Sequence, residues 1–325
     1  MKTGRFFDLI FASAIGIVCF SAGAAQAASP ERVRLGVGFI PNVQFAPLYV
    51  SQQKGFYAKE GLEVEIEYGY ESDFVALVAQ GEREFAIASG DQVILARGQG
   101  LPITYVMKWF ERYPVALVAP KSGGIEGPAD LPGKTVGLPA FSGASFVGWK
   151  ALLYASGIDE AQLTVKRTGF AQVAALQRKI VDAAMVYIAN EPIQLRDQGM
   201  KVNVIEVSDY IGLVSNGLVA SDRLIKENPD LVRRMVRATL RGVTDTVANP
   251  QEAFDIARRT IPEITDSRAE MQRTVLRISI ELWKGSRPGF SDKKEWRASA
   301  DFLYETGLSA KKVPVDRYYT NQFVE

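Results

Sequence analysis

The residues of this chain that could do chemistry are rings set beside amides and carboxyls. There is no histidine and only one cysteine. Imidazole acid–base catalysis and histidine-ligated zinc are therefore excluded, and Cys19 lies within an apolar run near the N-terminus. The rings fall in segments that read as strand ends and loops: Phe39 and Phe45, Tyr68 and Tyr70, Trp109, Phe110 and Tyr113, Phe141, Phe170, Tyr187 and Tyr210. Polar residues stand close to them, with Asn42, Glu71, Ser89, Asp91, Gln92 and Ser142 able to hydrogen-bond whatever a ring stacks on. Gly90 and Gly143 allow close backbone approach, and the helix N-termini beside them offer N–H donors that would serve an anion equally well. The candidate ligand-binding set is Phe39, Asn42, Phe45, Tyr70, Glu71, Ser89, Asp91, Gln92, Trp109, Tyr113, Phe141, Ser142, Tyr187 and Glu191. Taken singly, each ring is better explained as core packing; their grouping in loops beside polar partners favours ligand contact. The carboxyls show no metal-ligand spacing, and no cofactor is expected. Lys+Arg 38 against Asp+Glu 37 gives no footprint for nucleic acid or an anionic membrane.

The elements that must position these residues alternate strand and helix, which is the α/β signature. In Leu35–Ile66 a strand ends at Pro41-Asn42, a helix carries Phe45, Leu48, Tyr49, Phe56 and Tyr57 on one face with Gly55 in its last turn, and Gly61 opens a strand of alternating Leu62, Val64 and Ile66. The order strand–helix–strand makes this a βαβ unit, whose loop at the strand's C-terminal end is where open α/β sheets bind ligands. Ser72 is the expected N-cap of the next helix and Gly81 its end. Further strands are expected at Glu84–Ser89, Ile103–Phe110, Val115–Ala119, Thr135–Leu138, Leu163–Arg167, Ala183–Val186 and Val202–Val207, with helices between them. From Ser221 the chain turns helical. Its Arg233, Arg234, Arg237, Arg241, Arg258 and Arg259 are mixed with acids and read as a solvated helix face. The Gly- and Pro-rich Pro120–Pro132 marks a break in composition and suggests a crossing between lobes.

Phe39-Ile40-Pro41-Asn42, Pro47-Leu48-Tyr49-Val50, Lys54-Gly55-Phe56-Tyr57 and Glu60-Gly61-Leu62-Glu63-Val64, with Leu131–Pro139 and Asp182–Pro192 later, resemble the NMT1-like substrate-binding proteins of ABC importers. That family handles thiamine pyrimidines, riboflavin, sulfonates, taurine and nitrate. The resemblance implies an α/β, two-lobed periplasmic-binding-protein fold (type II), each lobe a sheet flanked by helices, with the ligand in the cleft between lobes. It places residues 28–119 plus 221–325 in lobe one and 120–220 in lobe two, with crossings near Ala119–Gly124 and Gly212–Ala220. It also implies a monomer that serves an inner-membrane permease and ATPase, and an acidic residue at Glu191 that accepts a ligand N–H beside a stacking Tyr187. The alternative for Glu191 is a partner of the helix dipole. The aromatic loops favour a heteroaromatic nutrient, riboflavin or a thiamine pyrimidine, over a sulfonate, taurine or nitrate. An enzyme like the fungal pyrimidine synthases of this fold is the further alternative; they use a histidine and a Cys-rich segment, which this chain lacks.

Residues 1–27 read as an export signal: Lys2 and Arg5, the apolar Leu9–Phe20, then Ala25-Gln26-Ala27 with small residues at the cleavage positions. The run is short for a bilayer span. Val18 stands before Cys19, where a lipoprotein signal needs a small residue. N-terminal sequencing of the exported protein is expected to begin near Ala28; an acylated Cys19 at the mature N-terminus would show the reading to be wrong.

Overall fold

The computed structural model describes Met1 and residues 29–324; the export-signal reading of residues 1–27, Cys19 included, concerns residues that, beyond Met1, lie outside it. In chain order the elements are β1 (Glu31–Val37), α1 (Ala46–Gln53), α2 (Phe56–Lys59), β2 (Leu62–Tyr68), α3 (Glu71–Gln80), β3 (Phe85–Ser89), α4 (Gly90–Gly98) and β4 (Ile103–Lys108). There follow β5 (Val115–Pro120), β6 (Thr135–Leu138), α5 (Gly143–Ser156), β7 (Thr164–Arg167), α6 (Gln172–Gln177), β8 (Ala183–Tyr187), α7 (Glu191–Asp197), β9 (Val202–Glu206) and β10 (Asn216–Ser221). The C-terminal helices are α8 (Asp222–Glu227), α9 (Pro229–Ala248), α10 (Pro250–Thr260), α11 (Ala269–Trp283) and α12 (Lys293–Glu305). Among the described residues no helix is long and apolar enough to cross a membrane.

Two mixed sheets result, ordered β2-β1-β3-β10-β4 and β7-β6-β8-β5-β9. β1 runs parallel to β2 and β3, and β6 parallel to β7 and β8. In each sheet one strand runs antiparallel to both of its neighbours, β10 in the first and β5 in the second. These two strands correct the expected lobe boundaries. β5, assigned to lobe one, belongs to the second sheet, and β10, read as part of a crossing, lies inside the first. The chain therefore crosses at residues 109–114 and 207–215. Glycine and proline density misled because it marks an exposed surface turn at 121–124, whereas the first crossing is held by packing: Trp109, Phe110 and Tyr113 are all buried.

Local signals explain most element ends. Gly55 and Gly81 both take the left-handed backbone expected where a helix stops, but Gly55 splits the first helix into α1 and α2 rather than closing it. Ser72 is not the N-cap of α3. The helix begins one residue earlier at Glu71, and Tyr70 at the cap position makes no side-chain cap bond. α9 buries Leu231, Met235, Thr239 and Val243 against α1, on the stripe expected from their spacing. The arginines on its outer side are paired or stacked, Arg234 with Glu31 at 2.6 Å and Asp230 at 2.8 Å, Arg241 over the Phe56 ring at 4.4 Å.

The closeness of α9 to α1 rests on Gly242, whose added Cβ would stand 2.3 Å from the Pro47 carbonyl oxygen and 2.1 Å from Ser51 Oγ. Ala favours a helix over Gly by about 1 kcal/mol, yet the backbone carbonyl cannot swing aside. Gly242→Ala is expected to lower stability by roughly 1–3 kcal/mol in urea unfolding; a more stable variant would show that the contact relaxes freely.

Candidate functional site

The C-terminal ends of the parallel strands of both sheets face one another. β1 ends into Gly38 and Phe39, β2 into Tyr70 and Glu71, β6 into Pro139–Gly143, β7 into Phe170 and Gln172, and β8 into Tyr187–Glu191. They line two adjoining hollows. Both hollows are lined by Gly38, Phe39, Glu71, Tyr187 and Glu191, so they form one continuous cleft. The inner hollow adds Gln44, Phe45, Ile87, Phe110, Asn190 and Asn216. The outer adds Tyr70, Ser72, Ser142, Phe170 and Gln172 among others. Rings crowd the outer part: Phe170 of lobe two lies 5.0 Å from Phe39 edge-on and 5.0 Å from Tyr70, and Arg167 stands over Tyr70 at 5.5 Å.

Of the candidate residues, Phe39, Phe45, Tyr70, Glu71, Ser142, Tyr187 and Glu191 line the cleft. The others do not, each for a visible reason. Asn42 is buried, caps the turn at Val43–Phe45 by accepting from Gln44 N (3.0 Å), and reaches across to Asn190 (3.3 Å). Trp109 packs among Phe45, Phe110 and Trp283. Ser89, Asp91, Gln92 and Tyr113 form a buried layer behind Glu71. Phe141 points outward, 55% exposed. The glycines also make close contacts within the protein. Gly143, at φ +78°, would place a Cβ 3.3 Å from Glu71 Oε2, and Gly90 packs on Val214 and Trp296. Sequence reasoning passed over Gln44, Gln172, Asn190 and Asn216, and left the rings Phe110 and Phe170 outside the candidate set. Asn190 could have been found from its place between Tyr187 and Glu191. Nothing local separates Gln44 or Gln172 from a surface glutamine.

Glu71 joins the lobes. Its Oε2 accepts Ala144 N–H of α5 at 3.0 Å, its Oε1 takes Ser89 N–H, and Oε1 lies 2.7 Å from Ser89 Oγ. Ser89 Oγ is also 2.6 Å from Asp91 Oδ1, Asp91 Oδ2 is 2.7 Å from Tyr113 Oη, and Tyr113 Oη is 2.7 Å from Ala144 O. This run of oxygens can be counted. Four oxygen–oxygen contacts need four hydrogens, and the Ser89 and Tyr113 hydroxyls bring one each. Filling every contact requires a proton on Glu71 and another on Asp91. With both carboxyls ionised, two contacts would be bare.

The electrostatics agree. Burial, then the charge of Asp91, pushes Glu71 up to about 7 against the pull of the Ser89 and Ala144 donors. Burial raises Asp91 as well, opposed by Ser89, Tyr113 and Gln92. Glu191 accepts Tyr187 N–H (3.0 Å) and Asn190 Nδ2 (3.0 Å), and burial raises it to about 7 too. No lysine or arginine lines either hollow.

Two sheet lobes that meet over an aromatic and amide-lined cleft define a solute-binding protein of the periplasmic-binding-protein fold. The chain belongs to the NMT1/THI5 like family, whose model matches residues 42–253. It is 41% identical to the riboflavin-binding protein RibY of Chloroflexus aurantiacus, over 94% of this chain and 90% of that one. It is 27% identical to the formylaminopyrimidine-binding protein of Halalkalibacterium halodurans (93% and 94% covered). It is 24% identical to the 4-amino-5-hydroxymethyl-2-methylpyrimidine phosphate synthase of Legionella pneumophila (92% and 94%). Among solved structures, the alkanesulfonate-binding protein SsuA of Xanthomonas axonopodis bound to MOPS superposes with a TM-score of 0.73 at 16% identity, over 90% of this chain and 99% of that one. This likeness shows the shared fold.

The pH dependence follows in sign from the raised carboxyls. A carboxyl whose pKa is higher in the folded protein than in the unfolded chain stabilises the fold below its unfolded pKa, and this is lost as pH rises through the folded value. Between pH 6 and 8 the melting temperature is expected to fall, Glu71 and Glu191 each contributing roughly 1 kcal/mol. Asp91→Asn, whose amide supplies the Asp91-to-Tyr113 hydrogen without a proton, should flatten that slope. A wild-type melting temperature that rises across this interval would contradict the assignment.

Proposed function

We propose that the protein captures riboflavin in the periplasm and hands it to an ABC permease and its ATPase in the inner membrane, acting as a monomer and not as an enzyme. The observation that carries the uncharged, flat ligand is the state of the α5 N-terminus. The Ala144 N–H that an anion would use is already taken by the protein's own Glu71. A sulfonate or nitrate entering the cleft would meet Glu71 and Glu191 with no facing cation, and burying an unpaired charge is costly. A flat heterocycle instead finds ring faces at Phe39, Tyr70 and Phe170 and polar edges at the amides and carboxyls. The relative at 41% identity is named as a riboflavin-binding protein, which selects riboflavin among flat heterocycles. A thiamine-type pyrimidine is the second reading, favoured by the relative named for formylaminopyrimidine. Binding rather than synthesis is supported by the absence of histidine from the whole sequence.

Isothermal titration of the purified protein with riboflavin, with taurine and an aminopyrimidine as competitors, tests this. Riboflavin is expected to bind without added metal, and taurine to leave the titration unchanged. Phe170→Ala should weaken riboflavin roughly tenfold through the lost ring face. Displacement by taurine, or tight binding of the pyrimidine alone, would replace the reading.

A further inference from the structure

Gln172 is the first residue of α6, two positions after Phe170, and it lines the outer hollow together with Tyr70, Tyr187 and Glu191 while being only 3% exposed. Its Oε1 is sealed from solvent and has no hydrogen-bond partner. This sets it apart from Glu71, Glu191 and Asn190. Glu71 is held by Ser89 and Ala144, Glu191 by Tyr187 and Asn190, and Asn190 by Asn42 and Gln194. Among the buried side-chain atoms left without a partner in the described residues, the Gln172 oxygen is the one that belongs to a residue lining the cleft. A buried amide is retained in that condition where something else completes it.

A primary amide carries an acceptor and a donor side by side in one plane. The group it matches is another cis amide edge, an N–H next to a carbonyl. We propose that Gln172 is a specificity-determining residue that reads the imide edge of the flavin, Oε1 accepting the ring N3–H and Nε2 donating to a neighbouring carbonyl. This rests on the riboflavin reading above. Because the flavin N3–H is flanked by carbonyls on both sides, the amide serves the edge in either of its flipped orientations. Phe170, two residues earlier on the same turn, supplies a ring face beside the amide, so lobe two offers stacking and edge recognition from one short segment. The pairing involves no net charge, in keeping with a cleft whose carboxyls face no cation.

The test titrates riboflavin and 3-methylriboflavin, whose N3 carries no hydrogen, into the wild-type protein, Gln172→Met and Gln172→Glu. Wild type is expected to prefer riboflavin by roughly 10- to 100-fold. In Gln172→Met the riboflavin affinity should drop by a similar factor and the preference between the two flavins should collapse. Gln172→Glu, which keeps an acceptor for N3–H, should retain part of the preference. Thermal melting separates this from a structural role, because Gln172→Met should melt no lower than wild type once the orphaned amide is gone. Equal binding of both flavins by wild type would overturn the proposal while leaving the functional reading intact. So would a preference that survives in Gln172→Met, which would mean that water completes the amide. If wild type binds neither flavin, the functional reading fails and the proposal fails with it.

Discussion

The carboxyl of Glu71 is the interaction on which the cleft depends. It springs from the first turn of α3 in lobe one and ends on a backbone N–H at the start of α5 in lobe two. For it to arrive there, Gly143 must bring the α5 backbone within van der Waals distance of its oxygens, and Gly38 must leave room beside its Cβ. A Cβ at Gly38 would stand 2.7 Å from the Glu71 Cβ within lobe one, and one at Gly143 would crowd Glu71 Oε2 from lobe two. A carboxyl so deeply buried without a cation is held by the Ser89 and Ala144 N–H groups, and the run through Ser89, Asp91 and Tyr113 is filled only when Glu71 and Asp91 both carry a proton.

That arrangement explains several things about the site together. The oxygens of Ser89, Asp91, Gln92 and Tyr113 are turned inward, where they form the layer that holds Glu71. Ser72, freed from capping α3, meets Ser142 across the cleft at 3.1 Å. At the N-terminus of α5 the Ala144 N–H is taken by Glu71. Rings and uncharged amides line much of the remaining cleft, with Asn42–Asn190 and Tyr187–Asn216 contacts closing the far side.

The crossings between lobes follow a related logic. Hinges built from glycine would leave the lobes free, whereas residues 109–114 are anchored by Trp109, Phe110 and Tyr113, two of which pack with Trp283 from α11 and one of which binds Asp91. β5 and β10 each insert antiparallel among parallel strands of their sheet, so each crossing is pinned at both ends by ladder hydrogen bonds. Motion at such a joint has to be distributed over a packed layer.

The sequence by itself determined the α/β alternation, the βαβ opening, the ends of β6 to the residue and the family. These rest on local rules: strand alternation, glycine in the left-handed region, and loops at strand C-termini carrying the site. What only the tertiary structure decided is where β5 and β10 pair, because a buried strand of small apolar residues fits either sheet equally well. It also decided which polar residue near a ring lines the cleft. Asp91 and Gln172 are both short steps from a strand end, yet one is enclosed by Ser89, Gln92 and Tyr113 and the other lines the cleft with its Oε1 unpartnered. That difference comes from contacts between residues far apart in the chain, and no local pattern in the sequence carries it.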